Sequence, residues 1–199
     1  MEDRKYLSYY FIIILLCFAI PVIFTKPFKV KETKAEVKPI EKTEVYDYKK
    51  YNKIKVLHTK TNTVEEIPLD EYLYGVVSAE MPASFEKEAL KAQAVVARTY
   101  TIHKIINGGN KVHENADICD SSKCCQAWIA KEDRLARWDD LKKNEYWDKI
   151  VNAVNETKGK IILYNGEPIN AFFHSNSGGN TEPPVNVWGG QRISIFTIS

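Results

Sequence analysis

Apolar positions recur along this sequence at two spacings, and each predicts a different element. Leu73, Val76 and Val77 fall on one helical face, Asp70 precedes them as an N-cap, and Leu69 with Leu73 fits a hydrophobic staple. The helix is predicted to run to about Ala79 and to stop before Pro82, because a residue preceding proline avoids the helical region. A second helix is expected from Ser84, with Glu86 and Glu88 in its first turn and Gly108-Gly109 at its end. From Ala92 onward it is apolar on nearly every side, the mark of a buried helix. Gln93 and Arg98 on such a helix need polar partners. Arg98 pairs with a carboxylate, grips an anionic ligand through its planar fork, or snorkels to solvent. A third helix is expected from Asn144 to Gly159, with Trp147, Ile150, Val151 and Val154 on its apolar face.

Two hairpins frame these helices. Ile54 to His58 alternates as a strand, Thr59 to Asn62 is a turn, and Val64 to Ile67 is the return strand, with His58 read as structural. Lys160 to Tyr164, Asn165-Gly166 and Pro168 to His174 carry the strongest short hairpin signal, which delivers His174 and Ser175 to a glycine-rich loop. Residues 111–143 are the least regular stretch, and there are no internal repeats. The expected fold class is α+β: an N-terminal transmembrane anchor, a linker, then a mixed helix and β-hairpin domain.

The anchor is read from Leu7 to Phe24, which holds no charge and is long enough to cross a bilayer. No small-residue cleavage site follows it, so an uncleaved anchor is expected, and Cys17 after Leu16 does not suit lipid attachment. Residues 26–50 are rich in Lys and Glu and poor in large apolar side chains, a linker composition. The expected organisation is therefore 1–25 N-terminal tip and anchor, 26–50 linker, 51–199 folded domain. A net charge of +2 over 199 residues gives no electrostatic case for nucleic acid.

Chemistry concentrates in three places. Glu80 is expected at a helix C-terminus between Val77, Ala79 and Met81. An apolar setting and the negative end of a helix dipole both favour a carboxyl that keeps its proton, as a general acid must. A surface glutamate in a loop is the competing reading. His113, Cys119, Cys124 and Cys125 form an H-x5-C-x4-C-C pattern whose donors suit tetrahedral zinc. A disulfide, free buried thiols, or a cysteine nucleophile with His113 or His174 as base compete with it. The loop His174 to Glu182, HSNSGGNTE, lacks the pattern of a nucleophile elbow and on its own reads as a turn bonding its own backbone.

PLDEYLYGVVSAEMP, EALKAQAVVARTY, the SxxxCQ at Ser121 to Gln126 and HSNSGGNTE, taken in that order, resemble the stage II sporulation protein D family, which includes amidase-enhancer proteins. The resemblance covers about Lys53 to Gly190. It implies a lytic transglycosylase acting on peptidoglycan glycan strands, with Glu80 as the catalytic glutamate and Arg98 as a supporting residue. His174, Ser175 and Ser177 then look like part of the groove floor that positions the sugar. It also implies a zinc site beside the active site, with His113, Cys119 and Cys125 at ligand positions and Cys124 where a histidine is expected, so a Cys3His site of structural purpose. Lys26, Lys29, Lys31 and Lys34 after the apolar segment would by charge place the domain in the cytoplasm. The resemblance implies the extracytoplasmic side and is followed, giving a single-pass protein of the cell membrane with its N-terminus in the cytoplasm.

Glycan hydrolysis usually takes two carboxylates. A lytic transglycosylase uses one as acid and then base, closing a 1,6-anhydro ring through the muramic C6 hydroxyl, and Glu80 alone has a suitable setting. The alternative is a non-catalytic wall-binding module or amidase activator. A membrane-anchored zinc-loop scaffold for partner proteins is a third reading. The resemblance further implies engulfment during sporulation, beside a second wall hydrolase (an amidase/endopeptidase) and a multi-pass membrane protein. The family continues past Gly190, and residues 191–199 show little likeness to it. A one-base insertion near the Gln191 codon is expected to have shifted the frame, in the gene or its sequencing. The protein would then be truncated at its C-terminus, poorly folded beyond Glu182 and weak in activity.

Overall fold

Alternation along residues 53–58 produces the first strand, whose buried positions are Ile54 and Val56. The computed structural model describes Tyr10 and residues 13–17, 49–108 and 113–189. The protein divides into two units, Met1–Thr43 and Glu44–Ser199. In the second unit β1 (Lys53–His58) pairs antiparallel with β2 (Thr63–Pro68), in a register that runs from Lys53 opposite Pro68 to His58 opposite Thr63. Asn62 closes the turn at φ 55°. A third short strand, β3 (Ile118–Cys119), joins the other edge of β1 in parallel.

Two long helices follow the hairpin. α1 (Leu69–Glu80) starts directly after Pro68, and α2 (Lys87–Ile106) contributes Leu90, Ala94 and Ala97 through Ile102 to the interior. After the short α3 (Lys131–Leu135), α4 (Lys143–Glu156) presents Ile150, Ala153 and Val154. Their buried faces meet Ile54, Val56 and Ile118 of the sheet in one core. Gly75 lets a loop approach α1 closely: a Cβ there would lie 2.3 Å from Trp128 Nε1 and 2.8 Å from the Ile129 carbonyl oxygen.

Asp70 does not cap α1. It lies in the first turn, and no side chain bonds the free N–H groups of that end. Ser84 and Asn144 likewise fall near, but not at, the starts of α2 and α4, whose N-cap positions are Glu86 and Lys142. The second hairpin shrinks to β4 (Leu163–Tyr164) and β5 (Glu167–Pro168) around Asn165 and Gly166, both at positive φ. Ala171 to His174 form no strand, and the last described element is α5 (Pro184–Trp188).

The expected fold class needs one correction. The mixed helix and strand domain is observed, but the anchor is not: among the described residues no helix is long and apolar enough to cross a membrane. Of the segment 7–24 only Tyr10 and the helical residues 13–17 are described, and five helical residues rise only about 7.5 Å. The longest helix, α2, carries Lys87, Glu88, Lys91, Arg98 and Lys104 along its length. The rest of the expected anchor, nearly all of the expected linker, and the tail at 190–199 lie outside the described residues.

Candidate active site

α1 ends because Met81 leaves the helix in an extended conformation, at φ −128° and ψ 144°, ahead of Pro82. That stop leaves Glu80 as the last helical residue, half-buried rather than exposed. Its Oε1 accepts a hydrogen bond from the Ala127 backbone N–H at 2.6 Å. Glu80 lines an open cavity of about 430 Å³ with Tyr100 and Lys104 of α2, Ser122 to Cys125, and Asn170 to Phe173. Among the described residues it is the one carboxylate in that lining. Lys104 and Lys123 bring positive charge to the same wall, and the Lys104 ammonium lies 5.7 Å from the Tyr100 ring centre. Burial pushes the Tyr100 hydroxyl well above its ordinary range, so it stays a protonated donor.

The loop that holds Ala127 is fixed from below. Gln126 is buried, and its amide donates to the Tyr72 hydroxyl at 3.1 Å and the Thr101 hydroxyl at 2.8 Å. The Ser121 carbonyl accepts from the N–H groups of both Cys124 and Cys125, at 3.2 and 2.8 Å. This tight turn is the backbone kink that adjacent cysteines need in order to face one point. His113 Nε2 lies 3.2 Å from Cys125 Sγ and 3.5 Å from Cys124 Sγ, and the two sulfurs are 3.9 Å apart. With Cys119 included, all four donor atoms lie within 4.8 Å of one another. Ligands at zinc–sulfur distance around a tetrahedral ion sit about 3.8 Å apart, so the set can hold one such ion. Burial pushes the Cys125 thiol far up, and charge on Cys119 and Cys124 adds to the shift. Burial lowers the His113 pKa, keeping the imidazole neutral and able to ligate. A cation among these donors would favour the thiolates and would leave the imidazole neutral. The described cysteines are all free, which leaves the disulfide reading without a pairing here.

Arg98 sits elsewhere. It is fully buried in the core and is not part of the cavity lining. Its guanidinium donates to the carbonyls of Val154 (3.2 Å), Thr157 (2.9 Å) and Lys160 (3.3 Å), and to Asp70 Oδ1 at 3.4 Å. It thus closes the C-terminal end of α4 and ties it to the first turn of α1. Asp70 also meets Lys158 at 3.1 Å, which is the work its carboxylate does in place of a helix cap. His174, Ser175 and Ser177 are exposed and lie just beyond the wall formed by Ala171 to Phe173. Ser177 Oγ and Asn176 Oδ1 accept the Gly179 and Gly178 N–H groups, as in a self-bonded turn. Ala127, Lys104, Lys123 and Asn170 were not expected at the site. The one signal for any of them is that Tyr100 and Lys104 stand four apart on a helix whose other faces are buried.

Residues 57–164 match the model of the stage II sporulation protein (SpoIID) family. The protein belongs to this family. It is 38% identical over 135 residues to stage II sporulation protein D of Bacillus subtilis (strain 168), covering 68% of this chain and 39% of that protein. It is also 38% identical over 117 residues to the amidase enhancer of the same organism, covering 58% of this chain and 13% of that one. An uncharacterised protein of Brachyspira hyodysenteriae is 34% identical over 126 residues, covering 63% of this chain and 30% of its own length. The match thus spans about two fifths of the length of the sporulation relative. The SpoIID match takes in Glu80, Arg98 and all four donors of the Cys3His cluster, and stops before His174.

Proposed function

We propose that this domain is a peptidoglycan lytic transglycosylase in which Glu80 is both acid and base. One observation carries the reading: among the described residues a single carboxylate lines the cavity, held by a backbone N–H on one oxygen. Its other oxygen, Oε2, has no protein partner among the described residues. A hydrolase of the usual kind needs a second carboxylate a few ångströms away. Glu80 protonates the glycosidic oxygen as the anomeric bond breaks. The resulting carboxylate then takes the proton of the muramic C6 hydroxyl as that oxygen bonds the anomeric carbon. The product is a 1,6-anhydromuramoyl end, and no water is consumed. Lys104 and Lys123 offset charge on the strand, while Phe172 and Phe173 offer apolar surface to the sugar faces.

His113, Cys119, Cys124 and Cys125 hold zinc in this reading. The ion supplies a cross-link that fixes the loop from Ser121 to Ala127, and with it the N–H group that holds Glu80. The substrate places the domain on the extracytoplasmic side. On the resemblance of its motifs to the sporulation family, the same proposal assigns it to wall remodelling in engulfment, beside an amidase/endopeptidase and a multi-pass membrane protein. A non-catalytic module that activates an amidase is the second reading, favoured by the similarity to an amidase enhancer.

Mass spectrometry of glycan strands after incubation with the intact protein separates them. Anhydro ends that vanish with Glu80→Gln are expected. Reducing ends would indicate a hydrolase, and uncut strands would leave the binding module as the better reading.

A further inference from the structure

A second, larger cavity of about 770 Å³ opens on the other side of Ser122 and Lys123, which line both cavities. Its far wall carries Arg134 and Arg137, at the end of α3 and in the turn after it. Among the described residues neither guanidinium has an acid within ion-pair distance. Arg134 stacks its guanidinium 4.8 Å from the Trp138 ring centre, and its Nε is buried without a hydrogen-bond partner. Burial, and then the charge of Arg137, lower its pKa. Two cations are therefore held side by side against their mutual repulsion, one of them with a buried donor unused.

The acids in the same cavity do not relieve them. His58 lies between Glu65 and Asp120, with Nε2 2.9 Å from the former and Nδ1 3.4 Å from the latter. Asp120 also accepts from the N–H and hydroxyl of Thr59. That leaves Asp133, which precedes Arg134 on α3 and is exposed. A pair of like charges at the wall of a cavity, with no acid in ion-pair distance among the described residues, favours an anion in that cavity. A guanidinium presents a planar fork that suits a carboxylate or a phosphate ester bidentately.

We propose that Arg134 and Arg137, with Lys123 at the seam between the two cavities, form an anion subsite for an oxyanion carried by the polymer strand that runs on from Glu80. The inference rests on the glycan reading above and adds to it. Discrimination by a charged substituent away from the reacting bond lies in this second cavity, and the chemistry lies in the first. Ser122 and Lys123 line both cavities, so the two adjoin on the protein surface, and in the proposal a strand seated at Glu80 extends past this seam toward the arginines.

The test uses the intact protein with Glu80→Gln, so that nothing is cut, and three muramoyl tetrasaccharides at fixed ionic strength. One has free lactyl carboxylates, one has them as carboxamides, and one has carboxamides with a 6-phosphate ester on the muramoyl units. Calorimetry should show at least one charged probe binding about tenfold more tightly than the neutral carboxamide. The probe that shows the gain identifies the oxyanion. Arg137→Gln, at an exposed position, and Arg134→Gln should each reduce the gain, and together remove it, with the carboxamide affinity unchanged. Arg134→Lys should recover only part of it. Equal binding of all three probes, or a gain that survives in the double variant, overturns the subsite and leaves the glycan reading standing. Binding of none of them overturns the glycan reading, and the subsite with it.

Discussion

Arg98 and Glu80 are charged residues on consecutive helices, and the protein treats them in opposite ways. Arg98 is fully buried, and its fork reaches three backbone carbonyls and the Asp70 carboxylate. Its interactions are internal, and they join the beginning of α1 to the end of α4. Glu80 stands at the end of its helix, its side chain accepting one hydrogen bond, from Ala127, and faces a cavity in which it is the one carboxylate among the described residues. A buried charge whose partners are the fold's own groups has a structural job, because every change to it is felt by the core. A charge held at one atom and open at the other is available to a ligand. The two residues are equally conspicuous in a helical pattern, and it is their surroundings that separate a carboxylate open to a ligand from a cation held by the fold.

Substitutions can break this contrast at either end. The largest effect is expected for Glu80→Gln, which should lower the cleavage rate by about 10²–10⁴-fold at an unchanged unfolding midpoint. Gel-resolved or mass-resolved glycan turnover, beside thermal unfolding, checks both halves. Arg98→Ala should cost about 3–5 kcal/mol of stability, since it strands Asp70 and the carbonyls at the end of α4. Denaturant unfolding reads this directly, and Arg98→Lys should recover little, because an ammonium cannot reproduce the fork.

Chelation sharpens the contrast from a third direction. If His113, Cys119, Cys124 and Cys125 hold zinc, stripping it should destabilise the domain by about 2.7 kcal/mol where the free ion stood at a hundred times its dissociation constant. Elemental analysis before and after, with a melting curve for each, decides it; a metal-free protein with an unchanged curve counts against the site. The smallest effect is expected for Gly75→Ala. The added methyl meets Trp128 Nε1 and the Ile129 backbone, and overpacking of this kind costs about 1–3 kcal/mol. Because residues 127–129 carry the partner of Glu80, turnover per folded molecule should also fall, which distinguishes this site from an ordinary core position.

Much of this architecture was legible along the sequence. Alternation at 54–58 and 64–67 marked the first hairpin, helical spacing marked α1, α2 and α4, and Asn165-Gly166 marked the last turn, all of which are local signals. The proline after Met81 placed Glu80 at a helix end. Other parts depended on distant contacts that leave no periodic trace. β3 is two residues long and pairs with β1 across more than fifty residues of sequence, so Ile118–Cys119 could not be read as a strand. Asp70 looked like a cap and became the partner of Arg98 and Lys158, because α4 returns to the start of α1. The hairpin that was to deliver His174 stops at Pro168, and the following residues turn into the cavity wall instead. Residues 13–17 are helical, but the charge-free run around them does not establish a span among the described residues.

The division of labour between the two charges is tested most directly by turnover per folded molecule. Wild type, Glu80→Gln and Arg98→Ala are compared across a denaturant series, with the folded fraction and the yield of anhydro ends read on the same samples. Arg98→Ala should keep near wild-type turnover for whatever fraction is folded, whereas Glu80→Gln should show almost none at full folding. Cleavage by fully folded Glu80→Gln at the wild-type rate, or a fully folded Arg98→Ala that cuts nothing, would contradict the assignment of chemistry to one residue and scaffold to the other.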